Sequence, residues 1–120
     1  MKTFRDLKIW VKGMKIVKQT YKLVSKFPKY EEYALSSQMR RAAVSIPSNI
    51  AEGFGRKSKK EFHQFLHITL SSLFELETQT EIANDQKYLE ETHFTDFYDL
   101  LREMERMLCS FMASNQNLFQ

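Results

Sequence analysis

The sequence predicts an all-α fold, an antiparallel four-helix bundle running up-down-up-down, and three observations carry that expectation. Apolar residues recur at helical spacing through four long stretches. The 120 residues include only three Gly and two Pro, too few for many short strands and turns. The turn signals fall between the four stretches, so the connections are short and neighbouring helices should run antiparallel. With hydrophobic residues at 42%, the chain can bury one core, and a single domain over residues 1–120 is expected.

The first helix is expected from about Phe4 to Lys26. Thr3 and Asp6 have the spacing of a capping box, with a hydroxyl accepting an early backbone N–H and an acid in the first turn. Phe27-Pro28 ends it, because a residue before proline is pushed out of the α region. The second helix is expected from Glu31 or Glu32 to Gly53, with Leu35, Met39, Ala42, Ala43, Ile46 and Ile50 in phase. Pro47 lacks a backbone donor and crowds the carbonyl four residues earlier, so a kink is expected there. The apolar phase continues beyond it to Phe54, and Gly53 and Gly55 supply the stop. Ser58 is a good N-cap for a third helix ending near Asn84. The fourth is expected from Thr92 or Thr95 to Ala113, with Phe94, Phe97, Leu101, Met104, Leu108 and Phe111 inward and a fraying tail after Ser114.

The first helix divides into faces at 100° per residue. Leu7, Trp10, Met14, Val17, Tyr21 and Val24 form one stripe, the expected core face. Ile9, Ile16, Leu23 and Phe27 form a second apolar stripe. Lys8, Lys12, Lys15, Lys18, Lys22 and Lys26 fall within an arc of about 120° on another side. A monomeric bundle helix needs one buried stripe, so a second points to a neighbouring subunit. A homo-oligomer is therefore expected, with Ile9, Ile16, Leu23, Phe65 and Ile68 at the contact. The bland alternative is a wide seam with a few tolerated surface apolars.

Net charge is +3, but its distribution is uneven. Residues 1–60 hold 15 Lys+Arg against 4 Asp+Glu, a net of +11, and residues 61–120 hold 3 against 11, a net of −8. The basic half either binds a polyanion or pairs with the acidic half within the fold. Candidate nucleic-acid-binding residues are Lys8, Lys12, Lys15, Lys22, Arg40, Arg41, Arg56, Lys57, Lys59 and Lys60. The arginine forks suit phosphate oxygens, and the second cluster adjoins a helix start whose free N–H groups favour anions. Such a surface tracks phosphates and reads shape more than sequence. Against it, a lysine row is often only a solvated face, and Arg40 and Arg41 could pair with Glu75, Glu77 or Glu81.

Catalytic signals are weak, and a non-enzymatic protein without metal or cofactor is expected. His63 and His67 share the i, i+4 spacing of a metal pair, but no third ligand is suitably spaced. The single cysteine, Cys109, lies on an apolar helical face and is expected to be buried; it excludes an intrachain disulfide and points to a reducing compartment. Arg56 and His63 resemble the arginine-to-histidine motif of metal-free ribonucleases built on small helical bundles, a minor alternative. No apolar run reaches membrane-span length and no signal peptide is visible, so a cytoplasmic protein with no membrane partner is expected.

The run from Arg40 to Gly53, Arg-Arg-Ala-Ala-Val-Ser-Ile-Pro-Ser-Asn-Ile-Ala-Glu-Gly, resembles the signature of bacterial four-helix bundle proteins encoded in 23S ribosomal RNA intervening sequences. Phe4 to Trp10, Phe27-Pro28, Ser36 to Met39, Phe62 to Leu66 and Glu75 to Gln79 extend the resemblance over nearly the whole chain. Ile68 to Ser72 departs from it, standing where family members often carry an Ala-x-Gly-Ser run. The resemblance implies a subunit that assembles into a ring, a homopentamer. The family is similar to the accessory variability protein of diversity-generating retroelements, a basic pentameric barrel that binds nucleic acid and a reverse transcriptase. That likeness favours nucleic acid as a partner. It also leaves a scaffold reading open, with a protein such as a reverse transcriptase as the partner. Ser45, Pro47, Asn49 and Glu52 are expected to be structural.

Overall fold

The computed structural model describes residues 2–116, and four helices with no strand account for most of them. They are α1 (Lys8–Val24), α2 (Leu35–Phe54), α3 (Lys59–Asp85) and α4 (Glu91–Gln116). Each packs on two neighbours, α1 on α2 and α4, and α3 on α2 and α4, with no comparable approach across either diagonal. Contacts along each seam run in opposite directions. On α2–α3, Ser45 bonds Ser72 while Gly53 meets Phe65 and Phe62. On α3–α4, Tyr98 bonds Glu81 at one end and Phe62 meets Phe111 at the other. Neighbouring helices are therefore antiparallel, as a four-helix bundle requires.

Local chemistry sets the helix ends. The Thr3–Asp6 capping box closes a short 3₁₀ turn, Phe4–Asp6, and α1 begins only after Leu7. Backbone N–H groups of Thr3 and Lys2 hold the Asp6 carboxyl below the usual carboxylate range. α2 starts later than Glu31, because Pro28 leads into a 3₁₀ turn at Lys29–Glu31. Glu31 then accepts the N–H of Leu35 at 3.2 Å, satisfying an orphan donor of the first turn. Ser58 caps α3 as expected, accepting from the Glu61 N–H at 3.1 Å. α3 closes with the Lys87 N–H on the Asn84 carbonyl and the Tyr88 N–H on the Ala83 carbonyl, a Schellman pattern. Lys87 takes the left-handed position at φ 62°, where glycine is usual. α4 extends to Gln116, past the expected end at Ala113, and the rest of the expected fraying tail lies outside the described residues.

α2 continues without a break through Pro47, which is buried against Gly13 of α1. A Cβ at Gly13 would lie 3.3 Å from Ile46 and 3.4 Å from Pro47, so the two helices approach closely there. This contact corrects the expected face of α1. Ile9 and Ile16, assigned from sequence to a subunit contact, are 3% and 0% exposed within their own chain. Gly13, Thr20 and Phe27 complete that buried face. Of the expected core stripe, Leu7 and Val24 are buried and Trp10 and Val17 pack against the core, while Met14 and Tyr21 are exposed. Small residues explain the rotation: Gly13 admits the α2 backbone, and Thr20 buries its hydroxyl by donating to its own Ile16 carbonyl at 2.7 Å. Leu23 and Phe65 are half-buried, and Ile68 stays exposed.

A Cβ at Gly53 would lie 2.6 Å from the Cβ of Phe65 and 2.9 Å from the Phe62 ring. The Phe65 Cβ is fixed to the α3 backbone and cannot yield without moving that helix, so Gly53→Ala should destabilise the fold by about 1–3 kcal/mol, measured by denaturant unfolding. Across the α3–α4 seam, burial, a hydrogen bond with Glu105 and the charge of Glu105 push the Glu77 carboxyl up to about 7. An acid titrating higher in the folded state than unfolded adds stability in acid that is lost as pH rises through about 7. Glu77→Gln should therefore reduce the fall in Tm between ~pH 5 and ~pH 8, read by circular dichroism.

Candidate nucleic-acid interface

The structure splits the basic half of the chain between two grooves of opposite character. The first lies between α1 and α4, about 540 Å³, where Lys15, Lys22 and Lys26 face Asp96, Asp99 and Glu103. Lys12 pairs with Glu103, and its hydrogen bond and charge hold that carboxyl below the usual range, with Lys15 and Arg106 adding to the field. On this side the two halves of the chain neutralise each other. Leu23 lines the same groove and so sits on the α1–α4 seam.

The second groove lies between α1 and α2, about 460 Å³, lined by Tyr21, Ser37, Arg40, Arg41, Val44, Ser45 and Ser48. No carboxylate is among those residues. Arg41 is exposed on the outer face of α2. Arg40 reaches back to Glu32, bonding its carboxylate at 2.9 Å and its carbonyl at 3.2 Å. Glu32 lies in the α1–α2 connection, whereas the sequence pointed to α3 acids as alternative partners. Helical spacing alone brings Ser37, Arg41, Val44 and Ser48 onto one stripe of α2. That stripe was legible in the sequence, but without the fold nothing distinguished it from an ordinary solvated face.

The remaining basic cluster sits at the other end of α2, roughly 20 Å from Arg41 by helical rise. Arg56 pairs with Glu52 one turn back at 2.9 Å, and its guanidinium lies 4.8 Å over the Phe65 ring. Lys57, Lys59 and Lys60 are exposed around the start of α3, and Lys8 is exposed at the start of α1. These lysines share one end of the bundle, because α1 and α3 both begin there.

The connections at the opposite end hold an aromatic group not singled out in the sequence. Tyr88 donates to Glu31 at 2.7 Å and lies 3.0 Å, oxygen to oxygen, from Tyr30. Those bonds, Tyr30 first and Glu31 next, hold the Tyr88 phenol well above its usual range. Tyr30 and Tyr33, three residues apart beside Lys29, were the available signal.

The residues weighed for catalysis are placed differently from one another. His63 and His67 stack edge to face with ring centroids 4.8 Å apart. Among the described residues no group of three or more His, Cys, Asp or Glu is arranged to hold a metal. Cys109 is exposed, correcting the expected burial: Leu108 and Met112 take the core-facing positions of that turn. No helix among the described residues is long and apolar enough to cross a membrane.

A family model described as 23S rRNA-intervening sequence protein matches residues 5–110. No curated protein matches the chain. A solved structure from Bacteroides thetaiotaomicron, a protein of unknown function from the S23 ribosomal protein family, aligns with a TM-score of 0.78. The identity is 22%, covering 87% of this chain and 97% of that one, a likeness of fold.

Proposed function

The chain belongs to the 23S rRNA-intervening sequence protein family, and we propose that it is a non-enzymatic, homo-oligomeric helical bundle that binds nucleic acid, structured RNA above all. The observation that carries this reading is the α1–α2 groove, where exposed Arg41 and the Ser37 and Ser48 hydroxyls meet with no carboxylate in the lining, beside Arg40 in its pair with Glu32. Guanidinium forks bond phosphate oxygens in pairs, and hydroxyls donate to the same oxygens. Lys15 and Lys22 are exposed on α1 but share the mixed groove with Asp96, Asp99 and Glu103, so they add only a partly balanced positive field, while Lys12 is committed to Glu103 and drops out of the contact set. Lys57, Lys59 and Lys60 supply a second set of phosphate contacts at the far end.

The placement of the apolar residues that remain exposed supports assembly into a ring. A ring needs two different, complementary faces on each subunit. Val11 and Met14 are 55% and 45% exposed on α1, and Ile68 and Ile82 are 48% and 46% exposed on α3. α1 and α3 occupy opposite corners of the bundle, so the two patches face away from each other, as a head-to-tail contact requires. The family resemblance makes a pentamer the expected closure, with basic grooves repeated around it and reinforcing one another. In this reading Pro47 bends α2 to seat it across Gly13.

Binding of a labelled structured RNA, followed by anisotropy over a salt series, should weaken steeply as phosphate-bound counterions return. Combining Lys15→Glu, Lys22→Glu and Arg41→Glu should weaken it roughly tenfold or more, with helicity and oligomer size unchanged and the RNA recovered uncut. Unchanged affinity in that variant would remove the groove from the interface. Ile68→Asp with Ile82→Asp should shift the assembly to smaller species in light scattering. An unchanged mass would place the subunit contact elsewhere.

A further inference from the structure

We infer that the end of the bundle formed by the α1–α2 and α3–α4 connections is a stacking platform for unpaired bases, so that the nucleic acid bound is one with a single-stranded segment. The inference rests on the nucleic-acid reading above and narrows its ligand. Tyr33 is 96% exposed and Tyr30 76%, more than any other large apolar side chain among the described residues. Two such rings leave π-faces open to water at one place in the fold. Stacking satisfies that surface with any base, because every base has a π-face.

The platform is braced from beneath. Tyr88 stands edge-on to Tyr30 with ring centroids 6.5 Å apart, and its own ring lies 5.3 Å from the buried Phe27. The hydroxyls of Tyr30 and Tyr88 lie 3.0 Å apart, and Tyr88 donates onward to Glu31. Tyr30 is thus held by its hydroxyl and by one ring contact while 76% exposed, and less ring entropy remains to be lost on binding.

Charge distinguishes single strands from duplexes here. Lys29 and Lys87 are exposed in the two connections that form this end, and Lys87 holds a left-handed backbone position that glycine would adopt with less strain. Glu31 is engaged by Tyr88 and Glu32 by Arg40. Glu90 and Glu91, exposed just beyond Tyr88, make this end a poor seat for the dense phosphates of a duplex. A single strand can lay its phosphates on Arg41 and the α1–α2 groove and turn its bases onto the tyrosines. Tyr33 lies four residues before Ser37, which lines that groove, so the two surfaces are close enough for one strand.

The test compares a labelled oligouridine with an RNA duplex on the full chain, using Tyr33→Ala, Tyr33→Trp and the Lys15/Lys22/Arg41 reversal. Tyr33 makes no contact that holds the fold, so its replacement leaves folding intact. Tyr33→Ala should weaken oligouridine binding roughly 5- to 100-fold and leave duplex binding unchanged. Tyr33→Trp should keep the affinity and show indole quenching on binding. If Tyr33→Ala binds oligouridine as wild type does while the charge reversal still abolishes binding, stacking is overturned and the groove reading stands. If wild type binds neither RNA, both readings fall. A change of oligomer mass in Tyr33→Ala would assign the rings to a subunit contact and also overturn the platform.

Discussion

The close seating of α2 between α1 and α3 is the constraint on which the rest of the molecule depends. It is made by two glycines that face α2 seams from different helices. Gly53 of α2 lets the Phe65 and Phe62 rings of α3 approach to distances no Cβ would permit. Gly13 of α1 receives Ile46 and Pro47 of α2. Between these contacts Ser45 bonds Ser72, and Asn49 bonds back to Ser45, so these three polar side chains are satisfied within the seam. Thr20, Thr69 and Thr80 do the same by returning their hydroxyls to carbonyls one turn earlier.

The orientation of α1 follows from that seating, and the electrostatics follow from the orientation. With Ile9, Gly13, Ile16 and Thr20 turned inward, one flank of the lysine row meets α4. There Lys12 finds Glu103, and Lys15 and Lys22 share a groove with Asp96 and Asp99. The opposite flank, with Tyr21, meets the arginines and serines of α2, where Glu32 balances Arg40 and no acid lines the groove beside Arg41. A chain of modest net charge thereby acquires one mixed groove and one cationic groove. The surface with potential for phosphate is smaller than the lysine count suggests, and better defined.

Acidic groups have a parallel logic on the far side. Glu77 and Glu105 meet on the α3–α4 seam, with Glu81 and Arg102 nearby, and Glu81 accepts from Tyr98 at 2.7 Å. That hydrogen bond and partial burial push the Tyr98 phenol up to about 12. The acidic half of the chain is thus divided as well, part matched to lysines of α1 and part crowded among its own kind.

The sequence by itself determined the number, order and type of elements, because periodicity, caps and proline act within a few residues. Ser58 capping α3 and the capping box at Thr3 are local bonds, and both were legible. Boundaries moved where a partner distant in sequence or a competing turn intervened, as where the 3₁₀ turn after Pro28 delayed α2 to Leu35. Arg40 and Arg41 stood out by side-chain chemistry and spacing, but that Arg40 turns back to Glu32 while Arg41 stays exposed needed the fold. What only the tertiary structure decided was which face of each helix is inward and which charges meet. On α1 the core took Leu7 and Val24 of one apolar stripe with Ile9 and Ile16 of the other and turned Met14 and Tyr21 outward, because Gly13 lets α2 approach closely between them. Lysines that look equivalent along a helix became unequal once α4 lay beside one flank and α2 beside the other. Coulomb energy depends on the distance to the partner charge, and sequence spacing fixes that distance only within a helix.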